Sequence, residues 1–506
     1  MLLIFGTVLA CSAALFWYQS GGKNKSSKPP GPTGLPVIGN LLDVPRSREV
    51  LTYNAMADKY GDIVYLSVAG KNIFIVSSGK ILNELFYQRS SNYSDRPYST
   101  MMNKLMGLEW IFAFTSYGSV WRDTRKMFHS QFQETVVPDL RPMQLKAAHD
   151  VLRRIIASPD DSLRHLHLHV AGFLLGIAYA MELTPEAAGL VQKADEVIEA
   201  WTKVAVPGAY LVDALPFLRY IPEWLIPGGG FQKDARVAKN KAVTARNIPF
   251  EMVQKEMAEG IAPPSFVSNL LNDAGPDANI ELIRATAGTI YFAGTEAISI
   301  TLTTFIMAML VYPDIQRKGQ AEIDQVVGKD RLPDFGDQDS LPFCNAIVKE
   351  VLRWNPPAPM AIPHVTVNDD QYEGYHIPAR SLVIANLWRI LHDPEVYPSP
   401  TEFRPDRFMP SENEGKVPTI VLETFETVFG PGRRICPGRF VATAQLFITI
   451  SSLLSAFNIG PGLDSDGEAI PVIPDFSYSL ASHPNHFKFT ITPRGKYVQD
   501  LLDLDN

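Results

Sequence analysis

The sequence predicts a mainly α protein with a smaller β portion, preceded by one transmembrane helix at its N-terminus. Three observations carry that prediction. Leu2 to Tyr18 is an almost unbroken apolar run, close to the roughly 20 residues a helix needs to cross a bilayer. From about residue 133 to Leu310 the apolar pattern is mostly helical, interrupted at Val206-Pro207-Gly208 and between Pro216 and Gly230. Strand-like runs are few and short, the clearest being Asp62–Val68 and Asn72–Val76, joined by Ala69-Gly70-Lys71 as in a β-hairpin.

Composition narrows the function. The 506 residues are 46% hydrophobic and 20% charged, an ordinary globular balance. Length alone suggests about three domains. The net charge of -8 argues against a nucleic-acid binder. The three cysteines, Cys11, Cys344 and Cys436, lie far apart and form neither a disulfide framework nor a zinc spacing. A reducing compartment fits, and a disulfide-stapled secreted protein does not.

Taken in order, residues 1–20 read as a membrane anchor. Trp17 and Tyr18 stand at its end as interfacial aromatics, and Lys23, Lys25 and Lys28 follow. No charged side chain precedes the run. The positive-inside rule therefore sets the C-terminal side in the cytosol, whereas a cleaved signal peptide carries its charge before the apolar core. Residues 21–40 form a basic, proline-rich linker whose Pro29, Pro30, Pro32 and Pro36 favour a stiff, extended spacer. Residues 41–506 form the main domain. Within it Trp121 and Arg125 stand four apart and share a helix face. Pro222-Glu223-Trp224-Leu225-Ile226-Pro227 is an apolar interruption, either packed on its own domain or touching the membrane. Ile280 to Leu310 is the longest apolar helix. Arg284 and Glu296 argue against its being a second span. Glu350 and Arg353 are spaced to pair on a helix, and Pro363-His364 opens a strand.

The most informative stretch is Phe429-Gly430-Pro431-Gly432-Arg433-Arg434-Ile435-Cys436-Pro437-Gly438. Its glycines allow backbone shapes that other residues resist. The apolar helix from Phe440 follows, so the sulfur sits ahead of a helix N-terminus, a position that favours thiolate. A lone cysteine would read as a buried core residue. Here the neighbours recur at fixed offsets. The stretch resembles the haem-binding signature of the cytochrome P450 family, Phe-x-x-Gly-x-Arg-x-Cys-x-Gly, and matches Phe429, Gly432, Arg434, Cys436 and Gly438.

The resemblance runs from about Pro29 to the end and implies a single catalytic domain of the P450 fold. By that resemblance, Cys436 is the axial ligand of a haem b iron, within a loop that includes Phe429 and Gly438. Trp121, Arg125, His364 and Arg434 are expected at the haem propionates. Without the resemblance, a core tryptophan beside a surface arginine and a satisfied strand histidine would serve as well. Ala293-Gly294-Thr295-Glu296 resembles the oxygen-side motif, with small residues leaving room beside the haem and Glu296 feeding protons. Ala297 stands where the family usually has threonine. Protons then arrive through water held by Glu296 or through a substrate hydroxyl. Glu350, Arg353 and, from Phe403-Arg404-Pro405-Asp406-Arg407-Phe408, Arg407 match the structural triad of the family. Ala297, Met360 and Phe476 are expected in the substrate pocket, within segments 358–362 and 476–481.

Tyr372–Pro378 and His392–Tyr397 resemble fungal members of secondary metabolism. The expected reaction is oxygenation of a hydrophobic terpenoid or aromatic intermediate. The loss of the threonine also keeps a haem-thiolate isomerase or dehydratase open, and beside it a membrane haem protein without turnover. The chain has no evident flavin domain or Gly-x-Gly-x-x-Gly motif. Electrons are thus expected from an NADPH–cytochrome P450 reductase docked near Arg433, with cytochrome b5 as a further donor. The resemblance implies the endoplasmic reticulum membrane.

Overall fold

The computed structural model describes residues 27–204, 210–225, 230–275, 278–410 and 417–504. The expected anchor at 1–20, the first part of the linker, Val206-Pro207-Gly208 and Ile226-Pro227 lie outside them. The elements that position the site are α1 (Glu49–Tyr60), β1 (Ile63–Val68), β2 (Lys71–Val76), α2 (Ser119–Phe132), α3 (Val137–Ala157), α4 (Ser162–Tyr179), α5 (Pro185–Val204), α6 (Gly230–Glu259), α7 (Phe266–Ala274), α8 (Ile280–Val311), α9 (Pro313–Val326), α10 (Pro342–Trp354), β3 (His364–Val365), β4 (Asp370–Tyr372), β5 (Tyr375–Ile377), β6 (Leu382–Ala385), α11 (Thr419–Glu426), α12 (Arg439–Ala456), β7 (Phe457–Pro461), β8 (Phe489–Pro493) and α13 (Tyr497–Leu504). Among the described residues helix dominates, with three small sheets.

Helix α8 is the axis of the domain. Its 32 residues start where the Asn279 side chain accepts the Leu282 N–H at 3.1 Å, and they stop before Pro313. It is apolar nearly all round, which suits a helix surrounded by protein, and it packs on α4, α2, α6, α7 and α12. By length and composition α8 and α12 could each cross a bilayer, but both are mostly buried inside the domain. Core packing accounts for their apolarity.

The main sheet has the order β1-β2-β6-β3. β1 and β2 form the hairpin, Ile63 facing Val76 and Val68 facing Lys71. β6 runs parallel to β2, and β3 returns antiparallel with His364 opposite Val383. The proline-rich stretch differs from a free spacer. Tyr65 N–H donates to Pro30 O (3.0 Å), Asn40 N–H to Ser67 O (2.5 Å) and Ala69 N–H to Ile38 O (3.1 Å). Residues 28–40 thus cover the outer edge of β1, which would otherwise expose unpaired peptide groups.

Candidate active site

The cysteine loop is shaped by its glycines. Gly430 and Gly432 have φ of 87° and 65°. A Cβ on Gly432 would stand 2.0 Å from the Phe86 carbonyl oxygen, so only glycine fits there. Cys436 N–H donates to Phe429 O at 2.8 Å, closing the loop. The sulfur receives backbone N–H groups of Gly438 and Arg439, and Arg125 and Arg439 add positive charge. Burial nonetheless pushes the thiol up, outweighing those four influences. The thiolate bias expected from the helix N-terminus therefore does not prevail on its own. The sulfur lies on the floor of an apolar cavity, where a charge is poorly solvated. A bound metal cation deprotonates such a thiol outright.

The cavity holds about 380 Å³ between α8, the cysteine loop and β3. One wall carries Arg96, His364 and Arg434, all buried. Arg434 donates Nε–H to Ser94 O (2.7 Å), and both its terminal nitrogens lack a protein partner. Arg96 donates Nη1–H to Ile362 O (2.5 Å) and Pro363 O (2.9 Å), and its Nε is unpartnered. Among the described residues neither guanidinium makes an ion pair. The neighbouring acid, Asp95, accepts the backbone N–H groups of Arg96 and Tyr117, both at 2.8 Å. Burial pulls Arg434 down to about 10, with Asp95 opposing. Burial and then Arg434 push Arg96 well down. His364 is held well below its ordinary value by burial and then Arg96, and its Nδ1 lies 2.6 Å from Tyr93 O. Buried, unpaired guanidiniums beside an open cavity call for an anionic group. The carboxylates of a haem seated on Cys436 have the charge and position to satisfy them, so these residues fit that cofactor.

Two expected partners stand outside the cavity's lining. Trp121 is buried against Phe112, with the Arg434 guanidinium 4.8 Å from its ring and its indole N–H unpartnered. Arg125 turns to the cysteine loop and donates to Ile435 O at 2.5 Å. Neither side chain lines the main cavity. Arg96 was not singled out from the sequence. Ser94-Asp95-Arg96-Pro97 reads as an exposed polar turn, and nothing local reveals its burial.

Ala293, Gly294, Glu296 and Ala297 of α8 all line the cavity. A Cβ on Gly294 would come within 2.7 Å of Leu174 Cδ1, so this glycine lets α4 approach α8. This packing role comes beside its place in the cavity lining. Glu296 is tied to the late loop: its Oε1 lies 2.7 Å from His483 Nε2. Ser299 is engaged elsewhere, 3.2 Å from His167 Nδ1, while His167 Nε2 lies 2.9 Å from Asp195. His483 also escaped the sequence reading, because it falls in a Ser/His/Pro-rich turn far along the chain.

The two segments expected over the cavity are there, through other residues. Pro357, Ala358, Ala361 and Ile362 line it from one side, and Leu480 and Ala481 from another. Met360 and Phe476 do not. Met360 is buried in the cluster that backs the main sheet, and Phe476 packs edge-on against Trp354 at 5.4 Å. Phe429 does line the cavity.

Glu350, Arg353 and Arg407 are brought together behind the site. Arg353 forks onto Glu350 with Nε to Oε2 at 2.7 Å and Nη2 to Oε1 at 2.8 Å. Arg407 Nε reaches the same carboxylate at 3.3 Å.

Comparison with known proteins gives the same reading. Residues 29–491 match the family model described as Cytochrome P450. The chain is 37% identical to the tryptamine 4-monooxygenase of Psilocybe cyanescens, covering 99% of both chains. It is 38% identical to a cytochrome P450 monooxygenase of Armillaria gallica, covering 96% of both. It is 37% identical to cytochrome P450 monooxygenase 208 of Postia placenta, covering 99% of this chain and 97% of that one.

Proposed function

The chain belongs to the cytochrome P450 family of haem-thiolate monooxygenases, and on that premise we propose that it oxygenates a hydrophobic aromatic or terpenoid intermediate of fungal secondary metabolism. The observation that carries the reading is the cavity itself. Cys436 lies at its floor, unpaired Arg96 and Arg434 on its wall, and apolar side chains over most of the rest. Haem bound there supplies dioxygen activation and the insertion of one oxygen atom into a substrate bond.

The chain's own residues do the rest. Cys436 holds the iron, and the backbone N–H groups of Gly438 and Arg439 steady its sulfur. Arg96, Arg434 and the indole of Trp121 anchor the carboxylates. His364 and Arg125 support that wall and the cysteine loop. Phe112, Phe114, Trp201 and Phe292 exclude water and hold a planar or bulky hydrocarbon. Tryptamine, the substrate named for the Psilocybe relative, is one aromatic candidate. Electrons come from NADPH through a partner reductase on the cysteine side, with cytochrome b5 as a second donor. There Arg433 is exposed and hydrogen-bonded to Ser90 (3.1 Å) and Tyr117 (3.0 Å).

The proposed location is the endoplasmic reticulum membrane, with the Leu2–Tyr18 run as a single span and the domain cytosolic. A surface feature supports it. Val37, Leu42, Phe217, Tyr220 and Trp224 are exposed, Trp224 by 82%. Ala69 N–H to Ile38 O (3.1 Å) and Lys71 Nζ to Asp213 O (3.2 Å) bring their loops to one side of the hairpin. An apolar face of this kind suits the membrane interface.

The test is turnover of the full-length protein with reductase, NADPH and ¹⁸O₂ against tryptamine, indole and a sesquiterpene hydrocarbon. Label in a product supports oxygenation. Product without label, or haem without product across the panel, overturns it.

A further inference from the structure

Among the described residues, the cavity has no free hydroxyl to pass a proton. Its lining hydroxyls are Thr289 and Thr301 of α8. Both donate along the helix, to Ala285 O (2.9 Å) and Ala297 O (2.8 Å). Thr295 donates to Tyr291 O at 2.8 Å, and Ala297 offers only a methyl group. Glu296 is the one carboxyl among the described lining residues. A carboxyl that gives up protons in each turnover must be recharged from water.

We propose that His483 is the solvent-side proton donor to Glu296, replacing the hydroxyl relay that Ala297 cannot provide. The two side chains meet at 2.7 Å, and their exposures differ in the sense the route needs. Glu296 is 21% exposed and touches the cavity, while His483 is 50% exposed and faces water. The other nearby histidine is less available. His167 of α4 lies within electrostatic reach of Glu296, but its two ring nitrogens are engaged by Ser299 of α8 and Asp195 of α5. The His483 turn is also held in place. Its N–H donates to Ser477 Oγ (3.0 Å), and Ser482 N–H donates to Pro357 O (3.0 Å). Ser482 Oγ donates to Asn355 Oδ1 (2.7 Å), which fixes the turn to the end of α10. The imidazole is thus presented to the carboxylate by a built support.

The inference rests on the monooxygenase reading. One turnover of that reaction takes two electrons from NADPH and two protons from water, and it releases one water. Glu296 in its acid form gives its carboxyl proton to cavity water. The Nε2–H of protonated His483 restores it at Oε1, and bulk water reprotonates the ring. Only O–H and N–H bonds change. His483 acts through Glu296 and is a positioning residue for it.

The test uses full-length, haem-loaded protein with reductase. The probe is tryptamine or, if that gives no labelled product, whichever compound of the ¹⁸O₂ panel gives the most. His483→Gln keeps an N–H donor for Glu296 and cannot carry a proton. We expect labelled product per NADPH to fall at least five-fold, with peroxide rising to match. Substrate binding, read from the ferric absorption spectrum, and hydrogen exchange over residues 475–485 stay within two-fold of the parent. The double variant with Glu296→Gln is no worse than Glu296→Gln alone, as for two members of one route. Product per NADPH within two-fold of the parent overturns the inference. So does a loss that follows weakened binding or faster exchange, which marks a structural clasp. A parent that makes no labelled product overturns the oxygenase reading itself. An unaffected variant beside a productive parent overturns only the role of His483.

Discussion

Replacing Arg353 with leucine should be among the most damaging single changes outside the cavity. Arg353 and Glu350 are fully buried. The substitution deletes five hydrogen bonds: two to Glu350, and one each to the carbonyls of Leu391, Pro400 and Glu402. Glu350 is left with the Arg404 N–H at 2.7 Å and Arg407 Nε at 3.3 Å. Breaking one side of such a buried pair costs about 3–5 kcal/mol, against a total stability on the order of 5–15 kcal/mol. Arg407→Leu removes the longer contact to Glu350 and the hydrogen bonds to the carbonyls of Pro398, Ser399 and Glu402, but leaves the Arg353 fork on Glu350 in place, and should cost about 1–3 kcal/mol. Arg353→Lys should fall near Arg353→Leu, because an ammonium cannot reproduce the guanidinium fork. Glu350→Met with Arg353→Leu should recover part of the loss, since no charge is then stranded. The assay is the urea midpoint of haem absorbance and tryptophan fluorescence in detergent, with the half-life of the haem spectrum at fixed temperature. An Arg353→Leu protein as stable as the parent would show that the buried pair contributes nothing net to the fold.

Two further predictions test the packing and the buried polar groups. Gly294→Ala adds a methyl 2.7 Å from Leu174 Cδ1; it should lower the thermal midpoint, and the drop it causes should be smaller in a Leu174→Ala background, where the opposing atom is gone. His169 is buried, and burial pulls its pKa down to about 4. The unfolded value is near 6.5, so protons favour the unfolded chain between the two. Its contribution is full above about pH 6.5 and is lost as pH falls towards 4. One pKa unit is about 1.4 kcal/mol, so the loss is on the order of 3 kcal/mol. Thermal midpoints of His169→Gln should depend less on pH across that window, and equal slopes in parent and variant would count against it.

Legibility followed sequence distance. The cysteine loop was readable because its chemistry lies within ten consecutive residues, and the two shape-setting glycines are among them. Helical spacing likewise foretold the Glu350–Arg353 pair, and it set Trp121 and Arg125 on one helix. It did not tell which way Arg125 would turn, since a long side chain chooses among tertiary partners. In segments 358–362 and 476–481 the chain has no regular period. The segments reached the cavity as expected, while Met360 and Phe476 turned into the core. Arg96 and His483 were invisible because they meet their partners across 266 and 187 residues. The proline-rich stretch read as a spacer because its partner, the open edge of β1, exists only after the sheet forms.

Everything proposed for the cavity depends on Cys436 holding haem through its sulfur. The most direct test is the carbon-monoxide difference spectrum of the reduced full-length protein beside Cys436→Ala. The red-shifted band of thiolate ligation is expected in the parent, and its loss in the variant. A histidine-type band in the parent, or folded parent protein that takes up no haem, would contradict it.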